Sequence, residues 1–206
     1  MYRKQLKTIL CFVSLLFIST SSYAAKTVLK INEKAPDFVA QDSNNDTVKL
    51  SDYKGKMVVL EWTNHKCPFV VKHYSSNNMQ SLQQKYTKDG VIWLSIISSA
   101  PNKQGFVSGA VANQLTQSRG AFPTRVLLDS TGKIGRLYGA KTTPHMYIID
   151  QEGKLRYQGA IDSIRSADPS DISKATNYVD QALTALKDKK PVSTKDSKAY
   201  GCSVKY

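Results

Sequence analysis

Cysteine is scarce in this sequence of 206 residues, which contains only three, and no two of them form a C-x-x-C pair. A structural zinc site built from such pairs therefore has no support. Cys11 lies in an apolar N-terminal segment, so a folded domain after that segment has only Cys67 and Cys202. Two remaining thiols are usually a disulfide pair, or a catalytic thiol and its partner.

Acidic residues are also few, since 16 Asp and Glu stand against 29 Lys and Arg and give a formal charge of +13. The lysines are scattered along the chain, with neither a basic helix nor a basic patch interleaved with aromatic residues. This pattern argues against nucleic-acid binding. It is better explained by solubility and by attraction to anionic surfaces.

No apolar run in the sequence is long enough for a stable transmembrane helix, because the longest one, Ile9 to Ile18, is too short. A positively charged region precedes this run, and Ser22-Tyr23-Ala24 offers a small-x-small cleavage site after it. We therefore predict that residues 1–24 are a signal peptide and that the protein is periplasmic, without stable membrane insertion. An uncleaved N-terminal anchor is the alternative.

The segment around Cys67 has the pattern of a strand, a loop and a helix. Val58 to Trp62 has the composition of a buried strand, and four polar residues, Thr63-Asn64-His65-Lys66, follow it. Pro68 suits the first position of a helix, which places Cys67 at or next to the N-cap, where the helix dipole favours a thiolate. His65, Lys66, Lys72 and His73 add positive or ionisable charge. The pattern predicts an accessible cysteine of low pKa, with an inert buried cysteine as the alternative.

The segment E-W-T-N-H-K-C-P-F resembles the active-site turn of the thioredoxin-fold superfamily. C-P-F-V keeps the first cysteine of the C-x-x-C of thioredoxins, but Val70 replaces the second. The earlier residues A-P-D-F and L-S-D-Y-K-G-K are similar to the start of the peroxiredoxin-like branch of the alkyl hydroperoxide reductase and thiol-specific antioxidant (redoxin) family. The resemblance implies a thiol-dependent oxidoreductase that needs no cofactor. In it Cys67 attacks, and Trp62, Thr63, Asn64, His65, Lys66 and Pro68 support the active site.

The remaining sequence alternates between predicted strands and helices. Residues 37–50 read as a hairpin, and residues 91–97, 122–129 and 146–158 read as further strands. Helices are predicted from Cys67 to about Lys88, over 108–118, weakly over 130–138, and over 172–187 with Asp171 as N-cap. The pattern and the resemblance together indicate an α/β fold, a thioredoxin-like three-layer α/β/α sandwich with a mixed central sheet and an N-terminal hairpin, spanning residues 25–187.

Thr143 and Pro144 precede a predicted strand in T-T-P-H-M-Y-I-I-D, which resembles the loop that carries the cis-proline of thioredoxin-fold proteins. The resemblance implies that Pro144 packs beside Cys67 and that the backbone of Thr143 faces a bound peptide or disulfide. An ordinary proline at the end of a strand is the alternative, because only about one X–Pro bond in twenty is cis.

The sequence departs from peroxiredoxins at three positions. The proline and threonine of their P-x-x-x-T-x-x-C motif fall on Leu60 and Asn64, and their later arginine falls on Pro144. Asn64 could still offer a hydrogen bond to a peroxide. Without an arginine to polarise the O–O bond, rapid peroxide reduction would lose a few kcal/mol of electrostatic stabilisation, about the value of one oxyanion donor.

Residues 188–206 begin with a polar, linker-like composition and are predicted to form a flexible tail that carries Cys202. Such a tail is long enough to reach Cys67. Cys202 is predicted to resolve an oxidised Cys67. A permanent structural disulfide and a thiol that bonds another chain are the alternatives.

Copper is the one metal that the residues suggest, because thiolate and imidazole ligands suit it. His65, His73 and His145 are all the histidines, and a copper chaperone of this fold uses two nearby cysteines where this sequence has one. We predict no metal and no cofactor.

The sequence therefore predicts a periplasmic, peroxiredoxin-like oxidoreductase that reduces a peroxide or a protein disulfide and is regenerated by an external dithiol protein. Thiol–disulfide exchange on protein substrates is the first alternative. A non-catalytic or copper-handling module is the second.

Overall fold

The computed structural model describes residues 29–206, so the predicted signal peptide at residues 1–24 lies outside the described part of the chain. A seven-stranded sheet has the order β2-β1-β5-β4-β3-β7-β8, and β6 and β9 form a separate two-stranded ribbon. The strands are β1 Val39–Asp42, β2 Thr47–Lys49, β3 Val58–Trp62, β4 Ile92–Ile97, β5 Arg125–Leu128, β6 Thr142–Thr143, β7 His145–Ile149, β8 Leu155–Gly159 and β9 Cys202–Ser203. The helices are α1 Pro68–Ser75, α2 Asn78–Lys88, α3 Gly109–Ser118, α4 Lys133–Tyr138 and α5 Tyr178–Lys187.

The large sheet is mixed, as predicted. β3 runs parallel to β4 and β4 parallel to β5, whereas β7 pairs antiparallel with both β3 and β8. β1 and β2 form the predicted N-terminal hairpin, in which Ala40 faces Val48. All five residues of β3 are buried, as expected for a central strand that is covered on both faces.

Two hydrophobic cores lie on opposite faces of this sheet. One contains Val59 and Trp93 together with apolar side chains of α1, α2 and α5. The other contains Leu60 and Trp62 together with residues of the hairpin and of α4. Side chains alternate between the faces along a strand, so the sheet has helices on both sides and the three-layer prediction is confirmed. Within residues 29–206, no helix has both the length and the apolar composition needed to cross a membrane.

The helical segment predicted after Cys67 is two helices. α1 ends at Ser75, and Asn77 adopts a left-handed conformation with φ of 59° before α2 begins. Asparagine tolerates this conformation better than most residues.

The last helix begins later than predicted. Residues Pro169–Lys174 form a 3-10 helix that Asp168 caps, and α5 starts only at Tyr178, with the Asn177 side chain accepting from Asp180 N–H. Asp171 therefore lies inside the 3-10 helix and is not the N-cap of α5. Ala175 interrupts the helix because its backbone is extended.

The segment predicted as a flexible tail instead packs along the domain, and we call residues 192–206 the C-terminal strap. Val192 and Tyr200 are buried in the core on the α1 side. Ser197 N–H donates to Gln158 O at 3.1 Å, and Ala100 N–H donates to Lys205 O at 2.8 Å. The polar composition of this segment does not indicate these contacts, because only a few widely spaced residues make them.

Candidate functional site

Cys67 lies where the sequence places it, at the N-cap of α1. Its backbone N–H donates to Asn64 O at 3.0 Å, and its carbonyl accepts from the N–H groups of Val70 and Val71 at 2.9 Å. Pro68 occupies the first turn of the helix, where a missing N–H costs nothing. The thiol is therefore held by a tight turn between β3 and α1.

The structure corrects the prediction that Cys67 is accessible. The side chain is 0% exposed, and its thiol donates to Thr143 O at 3.0 Å. Cys202, which is partly buried, packs against the core to which Cys67 belongs. Attack on a substrate therefore requires that part of this cover move.

Cys202 lies beside Cys67 because β9 pairs with β6. In this antiparallel ribbon Cys202 is opposite Thr143, and Ser203 is opposite Thr142. The two thiols are not bonded to each other. The strap thus brings the two cysteines together, although 135 positions separate them in the sequence.

Hydrogen bonds around Cys67 favour its thiolate. Burial raises the pKa of Cys67, but hydrogen bonds from the Cys202 thiol and from the N–H groups of Cys202 and Val70 bring that pKa below its ordinary value. Burial, together with the hydrogen bond and the charge of Cys67, raises the pKa of Cys202. These shifts favour the thiolate on Cys67 and the protonated thiol on Cys202.

The Thr143–Pro144 peptide bond is cis, as the resemblance implies. Thr143 is buried, and its carbonyl oxygen accepts the hydrogen bond from the Cys67 thiol. The residue before the proline therefore contacts both the reactive sulfur and, through β6, the strand that carries Cys202.

The other predicted support residues are divided between the loop and the opposite core. Trp62 lies in the core across the sheet, where its indole N–H donates to Ser98 at 3.0 Å. Thr63 is buried, and its hydroxyl has no partner among the described residues. Lys66 is exposed, and burial with the nearby charges of Arg119 and Lys66 lowers the pKa of His65.

Both polar groups of the Asn64 side chain are hydrogen-bonded within the protein. Its amide N–H₂ donates to Gln104 O at 3.3 Å, and its side-chain oxygen accepts from Lys66 N–H at 3.0 Å. Both ends of this amide are therefore used within the protein. The suggestion that Asn64 could bind a peroxide finds no support in this arrangement.

None of the side-chain hydrogen bonds or ion pairs found in residues 29–206 joins an arginine to Cys67. Arg119 stacks on the Tyr74 ring at 4.2 Å, Arg125 binds Asp42 and Asp46 at 2.8 Å, and Arg136 stacks on Tyr206 at 4.6 Å. The site thus lacks the cation that would polarise a peroxide bond.

The three histidines lie in different environments. His73 interacts with Asn78, and His145 packs on Tyr147 with ring centroids 4.6 Å apart. Over residues 29–206, no three side chains of His, Cys, Asp or Glu come together as a group that could hold a metal.

Sequence reasoning missed a buried polar cluster behind Cys202. Asp162 is 3% exposed and accepts a hydrogen bond from the Tyr200 hydroxyl. Lys72 is 1% exposed and lies 3.4 Å from the Asp162 carboxylate. Tyr200 is two residues before Cys202, and its ring also packs edge-on against Phe69 of α1. Only the aromatic residue in the polar tail could have hinted at this contact.

Glu61 is a second buried acid that the sequence did not single out. Its carboxylate accepts hydrogen bonds from Tyr74, Trp93 and Ser95 at 2.8–2.9 Å and from Gln83 at 3.1 Å. These donors satisfy the charge inside the core on the α1 side.

Comparison with known proteins agrees with this geometry. Residues 31–158 match the AhpC/TSA family. The thiol-disulfide oxidoreductase ResA of Bacillus anthracis is 32% identical over 133 residues, which cover 65% of this chain and 71% of that protein.

Two solved structures support the fold. An uncharacterized conserved protein from Geobacillus kaustophilus has a TM-score of 0.74 and 25% identity, over 87% of this chain and 93% of that one. The exposed lipoprotein thioredoxin Etrx1 of Streptococcus pneumoniae has a TM-score of 0.51 and 25% identity, over 74% of this chain and 99% of that one. With the family match, the thioredoxin-like fold and the buried low-pKa cysteine together, this chain belongs to the AhpC/TSA family and is a thiol-dependent oxidoreductase.

Proposed function

We propose that this protein is a thiol–disulfide oxidoreductase in which Cys67 and Cys202 form one dithiol/disulfide couple. Cys202 lies on β9, opposite Thr143, whose carbonyl contacts the Cys67 sulfur, and it packs against the core that contains Cys67. That position carries the proposal, because a resolving thiol must reach the sulfur that the substrate has modified. The name of the ResA relative, a thiol-disulfide oxidoreductase, supports the same reaction class.

The reaction has two steps. The Cys67 thiolate attacks one sulfur of a substrate disulfide, which forms a Cys67–substrate bond and releases the other sulfur as a thiolate that takes a proton from water. Cys202 then loses its proton and attacks the Cys67 sulfur, which forms the Cys67–Cys202 disulfide and releases the second substrate thiol. The substrate gains two electrons, and an external dithiol protein returns two electrons to the couple.

A protein disulfide suits this site better than a peroxide. Asn64 is used within the loop, and Arg119, Arg125 and Arg136 are used elsewhere, so a peroxide would find neither of the expected donors. The peroxiredoxin-like reaction stays as a second candidate because Cys202 is placed to condense with a sulfenic acid on Cys67, with release of water.

The compartment and partners follow from the N-terminal sequence and from the chemistry. The charged and apolar segments of residues 1–24 support export through a cleaved signal peptide into the periplasm. The substrate is then a disulfide of an exported protein, and the reductant is a thioredoxin-like or membrane-linked dithiol protein.

The test begins with fully reduced protein and with the Cys202→Ser variant. One equivalent of hydrogen peroxide, or of a disulfide-linked peptide, is added, and intact mass is followed over time. With the peptide disulfide, we expect the wild-type protein to lose two hydrogens as the Cys67–Cys202 disulfide forms. We expect the Cys202→Ser variant to accumulate a mixed disulfide between Cys67 and the peptide. Faster oxidation by peroxide, with a sulfenic acid in the variant, would favour the peroxidase. Unchanged thiols with both oxidants would refute the redox role of Cys67.

A further inference from the structure

Within the described chain, β9 of the C-terminal strap is the strand that pairs with β6. Besides the β6–β9 pairing, Val204 N–H donates to Lys141 O at 3.1 Å. The strap therefore adds an extended strand to the segment that leads into Pro144. Addition of an extended peptide to a strand edge is a common mode of peptide recognition, in which backbone hydrogen bonds supply the affinity.

Glycines lie where the strap approaches other backbone or ring atoms most closely. A Cβ on Gly201 would overlap the Thr143 carbonyl oxygen, and a Cβ on Gly159 would overlap Ser197. A Cβ on Gly135 would overlap the ring and hydroxyl of Tyr206. Glycines at three separate positions of the sequence thus leave the space that the docked strap needs.

One buried anchor holds the strap next to Cys202. The Tyr200 hydroxyl donates to Asp162, and Tyr200 is 3% exposed. The Lys72 ammonium lies 3.4 Å from Asp162 and 5.8 Å from the centre of the Tyr200 ring. Because Lys72 belongs to α1, the anchor ties the strap to the helix that Cys67 caps.

We propose that the strap is a built-in occupant of the substrate-binding edge of this domain. A cysteine-containing extended segment of another polypeptide reaches Cys67 only by taking the place of β9 on β6. Tyr200 acts as a positioning residue that sets how readily this exchange occurs. This inference rests on the proposed function, since it names the class of substrate that the Cys67 site accepts.

The exchange gives the two chemical steps an order. With the strap displaced, Cys67 attacks the disulfide of the bound segment and releases one substrate thiolate. When the strap returns, Cys202 comes back opposite Thr143 and attacks the Cys67 sulfur, which expels the second substrate thiol. Return of β9 to β6 and release of substrate are then the same event.

Access to Cys67 can be measured without any redox reaction. Reduced protein carrying Cys202→Ser is treated with iodoacetamide, and alkylation of Cys67 is followed by intact mass. Gly201→Ala is added to force β9 away from Thr143, and Tyr200→Phe is added to remove the hydroxyl that binds Asp162. We expect Gly201→Ala to accelerate alkylation at least tenfold and Tyr200→Phe to accelerate it several-fold.

Two matched controls separate local opening from general strain. Gly90 also has a positive φ, of 81°, but its Cβ would meet nothing within 4 Å, whereas Gly201 has a φ of 133° and a close neighbour. Tyr178→Phe removes a hydroxyl that makes no hydrogen bond in the described structure. Equal acceleration by Gly90→Ala, or no acceleration by Gly201→Ala in a protein with an unchanged circular dichroism spectrum, would overturn the inference.

A peptide probe tests the binding edge itself. A synthetic peptide with the sequence of residues 198–206, its cysteine carried as a mixed disulfide with thionitrobenzoate, is added to the Cys202→Ser and Cys202→Ser/Gly201→Ala proteins. We expect the peptide to release thionitrobenzoate faster with the Cys202→Ser/Gly201→Ala protein than with the Cys202→Ser protein. A peptide with alanine at the position of Gly201 should release it more slowly than the peptide of natural sequence. Equal rates for the two peptides would show that β6 does not bind them and would overturn the inference.

The alkylation experiment tests the role of the strap, and the exchange experiment tests the proposed function, so either claim can be refuted without the other. If Cys67 is shielded by the strap but the wild-type protein never forms a Cys67–Cys202 disulfide with the peptide disulfide, the proposed function fails. If that disulfide forms while Gly201→Ala leaves alkylation unchanged, the function stands and the role of the strap fails.

Discussion

Replacing Asp162 with asparagine removes the one acid that neutralises a buried lysine. Lys72 Nζ lies 3.4 Å from the carboxylate and donates to Ile164 O at 3.2 Å, and the Lys72 side chain is 0% exposed. Asparagine has nearly the same shape and keeps an oxygen that can accept from the Tyr200 hydroxyl. The substitution thus isolates the charge of Lys72 from the packing around it.

The expected loss of stability is large. Removing one partner of a buried ion pair typically costs about 3–5 kcal/mol, because the other charge stays desolvated. Because asparagine keeps an acceptor for Tyr200, we expect Asp162→Asn to lower the free energy of unfolding by about 3 kcal/mol, at the lower end of this range. Adding Lys72→Met to Asp162→Asn removes the unpaired charge and should recover most of the loss.

Urea denaturation followed by tryptophan fluorescence measures these values, since Trp62 and Trp93 are both buried. Glu33→Gln is the control, because Lys30 and Glu33 are 3.5 Å apart with side chains 66% and 60% exposed. An exposed pair of this kind is worth at most about 1 kcal/mol. If Asp162→Asn costs no more than Glu33→Gln, the buried pair does not hold the strap as described here.

Three further results are expected. The rate of Cys67 alkylation against pH should have its midpoint below that of an ordinary thiol, and Cys202→Ala should raise the midpoint because it removes a hydrogen-bond donor to the thiolate; an unchanged midpoint would contradict this. Burial lowers the pKa of His145 to about 4, so the unfolded state binds a proton that the folded state does not as the pH falls from about 6.5 to 4. The free energy of unfolding, measured by urea titration, should therefore fall as the pH is lowered over that range. In His145→Gln it should fall by about 1 kcal/mol less per pH unit than in the wild type. Gly135→Ala, inside α4, should add about 1 kcal/mol of stability in a Tyr206→Ala background, because alanine is the better helix former. In the wild type the new Cβ would overlap Tyr206, so the substitution should lower stability there; equal effects on melting in the two backgrounds would contradict the contact.

The Cys67 turn could be predicted because its signals are local. The strand, the polar loop and the Cys-Pro pair lie within eleven residues, and each obeys a rule that depends only on its neighbours. The strands β3, β4 and β7 were predicted for the same reason, since their apolar runs are nearly continuous. The register and the order of the strands depend on contacts between distant residues, which these local signals do not predict.

The strap could not be predicted, because composition averages over residues whose contacts are specific. Residues 188–206 are polar as a group, but Val192, Tyr200 and Tyr206 each fill a separate site on the domain. These contacts join residues that are far apart in sequence, such as Tyr200 and Asp162. Burial of Cys67 was missed for the same reason, since the prediction treated the tail as solvent-exposed.

The break between α1 and α2 lies between these two cases. The residues Ser75-Ser76-Asn77-Asn78 are poor helix formers and could have indicated a boundary. The apolar residues on both sides continued the pattern, however, and one long helix was predicted. In the structure Ser76 and Asn77 separate the two helices, and the backbone of Asn77 is left-handed.

Pairing of the strap with Gln158 also affects whether the protein associates with other copies of itself. β8 is the last strand at one end of the large sheet, and Gln158 both donates to Lys195 O and accepts from Ser197 N–H, each at 3.1 Å. An uncovered strand at a sheet end offers unpaired backbone groups to other chains and promotes aggregation. Proteolytic loss of the last residues would thus remove Cys202, the proposed resolving thiol, and should leave a shortened protein that associates through the uncovered β8.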